Sequence, residues 1–311
     1  MAIRSHIRSL VLPLAMLLAV LFNNVCGLFY GIVPYLVFTM LFLNYTAIDV
    51  RRMHPSWLHL WLLLFQAGIS FAFFLLLRLT ALPPALSEGM MICVLTPVAA
   101  SVVVVACALG ANRECVTTYT ILANLMVAIL APIYFSFIGV HQDLPFVASF
   151  WKIFCRVVPQ IVFPFILALL LQHFLPRINI FFCQYKSISL YVWALTLTII
   201  LGKTFHDVVE MPDRDGTMLW LMALLSALIC AFQFAAGKWM GSLFNKRIEG
   251  GQLLGQKNTS FGIWLAIEYL NPTSAPISAV AMALYSMWQN LFNSWQMWQH
   301  DKRATNTANN D

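Results

Sequence analysis

The strongest constraint on this chain is the succession of long apolar runs that fills it almost from end to end. A hydrocarbon core about 30 Å thick takes roughly 20 apolar residues as a helix, and with no water inside it every backbone N–H and C=O must find a partner within the segment. Ten such runs can be read: Leu10 to Phe29, Gly31 to Ile48, Trp57 to Leu79, Glu88 to Gly110, Thr117 to Gly139, Phe150 to His173, Ile188 to Phe205, Thr217 to Phe244, Gln252 to Leu270 and Pro276 to Trp298. The seventh is short and the ninth is polar. Of 311 residues, 61% are hydrophobic and 10% charged, with a mean hydropathy of +0.80, against ~45–50% apolar and ~25% charged in soluble domains. The fold class is therefore an all-α membrane protein, with residues 1–311 forming a single transmembrane bundle.

The few charges sort by loop. Arg4 and Arg8, Arg51 and Arg52, Arg113, Arg177 and Lys186, Lys246 and Arg247, then Lys302 and Arg303 all fall on one side of the ten-segment count, the side expected to be cytoplasmic. The longest opposite loop, KTFHDVVEMPDRDG, sets Asp207, Glu210, Asp213 and Asp215 against Lys203 and Arg214. Both termini are thus expected in the cytoplasm, with a cell membrane, such as a bacterial inner membrane, as the setting. The N-terminal run reads as an uncleaved first helix, because its apolar stretch continues to Tyr30 without a small-residue cleavage site. Residues 304–311, ATNTANND, read as a disordered tail. The net charge of +6 comes in twos and threes between apolar runs, which is a topological pattern and not a nucleic-acid-binding face. Seven scattered cysteines without a CxxC read as buried thiols.

Ten segments divide into two sets of five, residues 1–140 and 150–300. An odd number per set makes equivalent helices run in opposite directions, which permits an inverted repeat. The halves also match in content. The fourth segment contains LTPVAAS at Leu95 to Ser101, and the ninth, fourth in its own set, contains LGQKNTS at Leu254 to Ser260. Pro97 removes a backbone donor and Gly255 lowers the cost of unwinding, so both helices are expected to break near mid-membrane. Paired breaks of this kind point to a transporter's binding region.

Within the ninth segment, GGQLLGQKNTSFGIWLAIEYL, Lys257 is the residue to explain. A charge near the bilayer centre costs roughly 2.5–3.5 kcal/mol on insertion scales. It either snorkels to an interface, falls in a short loop, or lines a polar cavity. Around it, Gln256, Asn258 and Thr259 are candidate ligands. In segment five Thr117, Thr120 and Asn124 share one face, and Gln66 stands alone in segment three; each reads as interhelical glue or as a ligand. Ser286, Gln289, Asn293 and Gln296 share a face of the last segment and read as packing contacts, beside an interfacial belt of Trp288, Trp295 and Trp298. Gly237 and Gly241 form a GxxxG close-packing signal. No HExxH, GxSxG or Walker pattern is present, and His6, His54, His59, His141, His173, His206 and His300 show no ligand spacing. No catalytic residue, resident metal or cofactor is assigned.

These residues resemble the bile acid:sodium symporters, ten-helix inverted-repeat carriers with a panel and a core domain in which helices four and nine are broken and cross. In the ninth segment the family pattern is Glu-x-Gly-x-Gln-Asn-Ser-Gly. Gly255 and Asn258 match it, and Thr259 replaces the serine. Leu253 stands where the family has its sodium-binding glutamate, and Lys257 where it has the glutamine of the second sodium site. Ser101 matches the serine of the family's segment-four Ser-Asn pair, with Val102 in place of the asparagine, and Gln66 and Asn124 fall near sodium ligands of helices three and five. The resemblance implies that segments 1, 2, 6 and 7 form the panel, that segments 3–5 and 8–10 form the core, and that substrate binds between them.

The reading that follows is a secondary carrier for an organic anion, bile-acid-like or a small carboxylate, working by alternating access. Lys257 would be a tethered cation replacing the sodium charge beside two helix N-termini, pairing with substrate, or loading and releasing a proton. A lysine ammonium offers only donors, whereas a hard cation needs oxygens. The alternatives are a sodium symporter that uses Gln252, Gln256, Ser101 and Asn124, and a membrane receptor or sensor without transport. The lipid bilayer and a small organic anion are the expected partners; sodium or proton coupling, and the oligomeric state, stay open.

Overall fold

A computed structural model describes residues 14–80, 83–99, 101–138, 140, 143–185, 188–210 and 216–308. Arg4, Arg8, Lys186, Asp213, Arg214 and Asp215 lie outside them. The helices are α1 (residues 14–21), α2 (Asn23–Cys26), α3 (Val33–Thr46), α4 (Trp57–Arg78), α5 (Pro84–Leu95), α6 (Val102–Ala108), α7 (Arg113–Ile138), α8 (Phe146–Phe174), α9 (Pro176–Gln184), α10 (Ile188–Val209), α11 (Gly216–Ser242), α12 (Arg247–Gly255), α13 (Thr259–Tyr269) and α14 (Ala275–Ala308). Asn23–Thr46, Arg113–Ile138, Phe146–Phe174, Ile188–Val209 and Gly216–Ser242 are long and apolar enough to cross a bilayer. This is a multi-pass helical membrane protein.

Several boundaries differ from those read in the sequence. The helical run is interrupted at Phe22, at φ −112 and ψ 25, and Asn23–Thr46 counts as one span, so the boundary expected at Tyr30 between the first two segments falls inside it. The stretch Gly27–Ile32, despite its two glycines, stays wound as a 3-10 helix running into α3. Asn23 explains the break: its amide turns back to donate to the Val20 carbonyl at 2.6 Å, taking an acceptor that the interrupted ladder leaves over. An extra helix, α9, begins at Pro176, its first residue, where the sequence reading had only a loop. α14 runs on to Ala308, through residues expected to be disordered; no Gly or Pro follows Pro276 to stop it.

The chain falls into two compact bodies. The first comprises Met1–Ile48, Ala128–Leu219 and Ser260–Val280; the second comprises Asp49–Val127, Trp220–Thr259 and Ala281–Asp311. In the first, α3 packs on α8 and α10. The Gln172 amide donates to the carbonyls of Tyr45 at 3.1 Å and Ile48 at 2.9 Å, closing the C-terminal end of α3. In the second, Leu58, Leu62, Val98, Val102, Val116, Tyr119, Met240, Leu253 and Leu254 belong to one buried cluster. The GxxxG signal is borne out here. A Cβ at Gly237 would run into the Gly250 carbonyl, and one at Gly250 would run into Gly237, so α11 and α12 touch backbone to backbone.

Candidate functional site

Both expected breaks are present. α5 ends at Leu95 and α6 begins at Val102; α12 ends at Gly255 and α13 begins at Thr259. The two unwound stretches pair with each other as an isolated antiparallel bridge between Val98 and Lys257. Ala99 N–H donates to the Gln256 carbonyl at 3.2 Å, and Asn258 N–H to the Pro97 carbonyl at 2.8 Å. Pro97 has no N–H to place, so its carbonyl is its whole share in the pairing. Gly255 lets the Phe234 ring lie against its Cα, where a Cβ would collide.

This register leaves the N–H and C=O of Lys257 turned away from Val98, as in the non-bonded pair of an antiparallel ladder. The side-chain amide of Gln289, on α14, receives both. Its Oε1 accepts from Lys257 N–H at 2.8 Å and its Nε2 donates to the Lys257 carbonyl at 3.2 Å, standing in for a third strand.

The Lys257 side chain is 1% exposed, so it does not snorkel. Its Nζ donates to the Val94 carbonyl at 2.9 Å, in the last turn of α5, and no carboxylate among the described residues pairs with it. Its ammonium caps the C-terminal end of α5, while the residue itself stands two positions before the first residue of α13. A cation at a C-terminal end is the favourable sense, because the terminal carbonyls carry roughly half a negative charge. The neighbouring carbonyls are also taken by side chains. Gln233 donates to Cys93 at 3.2 Å, and Gln66 donates to Leu95 at 2.8 Å and Thr96 at 3.1 Å while accepting from the Tyr119 hydroxyl at 3.0 Å. Tyr285 accepts from Gln233 at 2.9 Å and donates to the Gly255 carbonyl at 2.8 Å, which ties the end of α12 into the same network.

The candidates of the sequence reading divide accordingly. Lys257 and Gln66 meet at the end of α5. Gln256 donates to Gln252, which donates to Gln296 at 3.3 Å; Thr259 meets Ser286 at 3.4 Å; Asn258 is buried beside Pro97. The row Ser286, Gln289 and Gln296, read as packing contacts, therefore engages the broken ninth segment. Thr120 and Asn124 turn inward as expected, but both bond within their own helix, to the Val116 and Thr120 carbonyls. Ser101 is exposed and its hydroxyl caps nothing, which separates it from the buried network. Gln233, Tyr285 and Tyr119 were not foreseen. Trp288 is more than an interfacial ring, since its Nε1 donates to the Ala223 carbonyl at 3.1 Å.

The features assembled so far define a class: a polytopic helical membrane protein whose two interrupted helices are joined through their unwound backbone. A family model, Sodium Bile acid symporter family, matches residues 14–211, and the chain belongs to that family, a family of transporters. The matched residues run from α1 through α10, and α11 to α14 lie beyond them. No curated protein matches the chain.

Proposed function

We propose that the protein is a secondary active carrier of an organic anion, working by alternating access, in which the Lys257 ammonium supplies the positive charge that a sodium ion brings in related carriers. The observation that carries this is the bond from Lys257 Nζ to the Val94 carbonyl at the end of a broken helix. Half-helix C-termini and unwound carbonyls are where such carriers hold a coupling cation. Here a tethered cation occupies that position, and Leu253 replaces the carboxylate that a sodium site would want. The proposal includes two inverted five-segment halves, a panel of segments 1, 2, 6 and 7, and both termini in the cytoplasm of a cell such as a bacterium.

The test is flux in proteoliposomes under imposed sodium or proton gradients. Wild-type uptake of an organic anion should be indifferent to sodium, and Lys257→Gln and Lys257→Ala should lose it. Uptake by both variants equal to wild type would remove Lys257 from the mechanism. A second reading, sodium symport through neutral oxygens, is favoured by the Asn124 Oδ1, Gln233 Oε1 and Asn293 Oδ1 atoms, which are buried and accept no hydrogen bond among the described residues. Thermal stabilisation of the purified protein by sodium, absent with potassium, would select that reading over the lysine mechanism.

A further inference from the structure

The last helix carries a stripe that the carrier reading leaves unused. On α14, Trp288, Leu291, Trp295 and Trp298 follow one another at intervals of three and four residues, and Lys302 continues the series, so all five stand on one face. Leu291, Trp295 and Trp298 are 59%, 52% and 59% exposed. Trp288, Leu291, Phe292 and Trp295 line a groove of about 320 Å³, at the small end of the ~300–1,000 Å³ range of ligand sites. The notch comes from size, since Leu291 stands between two indoles. α11, in the same body, fixes the walls from behind: the Trp288 Nε1 donates to the Ala223 carbonyl at 3.1 Å, and the Phe292 ring packs on Phe234 at 5.6 Å.

The length of the stripe indicates what fills it. From Trp288 to Lys302 the helix rises about 21 Å at 1.5 Å per residue, close to half the ~40–45 Å of a bilayer with its headgroups. Gln289, next to Trp288, holds the Lys257 peptide at the paired breaks, which the ten-segment reading puts near mid-membrane. Lys302 then falls at headgroup level, where its Nζ lies 5.3 Å from the centre of the Trp298 ring. That cation–π contact keeps the charge at the mouth of the stripe. The surface is thus apolar for the depth of one leaflet and positive at its end, the complement of an anionic lipid. A helix of a partner, roughly 10 Å across with its side chains, is too broad for a notch one leucine wide.

We infer that this groove binds one acyl chain of an anionic phospholipid from the leaflet on the Lys302 side, with the Lys302 ammonium at its phosphate. The lipid is a resident of the outer surface of the second body and not a transported solute, so the inference stands apart from the carrier reading.

The test titrates the purified, delipidated protein in a neutral detergent with phosphatidylglycerol and with phosphatidylcholine of the same chains, and reads the Kd of the first bound lipid by native mass spectrometry. Wild type should bind phosphatidylglycerol about fivefold more tightly, the worth of one lysine at an anionic headgroup. Lys302→Gln should bring the two lipids to equal affinity without weakening phosphatidylcholine. Leu291→Trp, which fills the notch, should lose the first bound lipid of both kinds, whereas Leu64→Trp, at a 54% exposed position of α4, should bind as wild type does. An unfolding temperature within the wild-type range shows that Leu291→Trp folds; should it not fold, Lys302→Gln decides alone. Equal affinity of wild type for the two lipids, a preference that survives Lys302→Gln, or unchanged binding by a folded Leu291→Trp would overturn the inference. So would the same loss in Leu64→Trp. A dimer that Leu291→Trp dissociates would also overturn it, assigning the groove to a second copy of the chain.

Discussion

Replacing Gln289 by Met tests the account of the crossing most directly. The substitution keeps length and removes both hydrogen bonds to the Lys257 peptide, leaving a buried N–H and a buried C=O without partners. Hydrogen bonds between membrane helices average about 0.6 kcal/mol and reach about 1.7, so the two together predict a loss of about 1–3.5 kcal/mol. The assay is reversible unfolding in mixed micelles, titrated with a denaturing detergent. Because Gln289 holds the peptide and not the ammonium, its effect should be the same in a Lys257→Met background, with the two losses adding to within about 0.5 kcal/mol. A loss below about 0.5 kcal/mol, or strong non-additivity with Lys257→Met, would refute the third-strand role.

Three further outcomes are expected. Gly250→Ala should destabilise by more than about 2 kcal/mol, since its Cβ meets the backbone of α11, which cannot turn aside as a side chain would; the same assay measures it. Gln66→Leu removes three hydrogen bonds and should cost about 2–5 kcal/mol, whereas Tyr119→Phe removes one of the three and should cost about 0.5–1.5, with a double-mutant cycle returning the shared bond. Arg156→Gln breaks an ion pair whose partners are 60% and 28% exposed, so its effect should stay under about 1 kcal/mol and shrink as salt is raised.

The breaks in the fourth and ninth segments were legible because proline and glycine declare themselves in the sequence, and their matching places were countable. The cost of a charge in an apolar run marked Lys257 as the residue to explain but left open whether it snorkels, falls in a short loop or lines a cavity; the structure buries it in the unwound stretch between α12 and α13. Its partner was not legible. Val94 contributes a carbonyl, which every residue has, so nothing in the side-chain sequence singles it out. Gln233 and Tyr285 are each one polar residue in an apolar helix, a pattern that fits many arrangements until the helices are placed together. Gln289 was seen on the correct face, but a row of amides at helical spacing does not tell packing from a clamp on a peptide. Phe22 was missed because hydropathy passes smoothly through it; the paired Asn23 and Asn24 were the available sign, since an asparagine side chain can replace a lost backbone donor.

The contact of Gly237 with Gly250 has a mechanical consequence. Where side chains interlock, one helix can shift on another by changing rotamers, and the contact yields gradually. Two bare backbones in contact have no rotamers to exchange. α11 and α12 therefore form a stiff hairpin, and a displacement applied at one end of α12 is delivered to its other end at Gly255 with little taken up on the way.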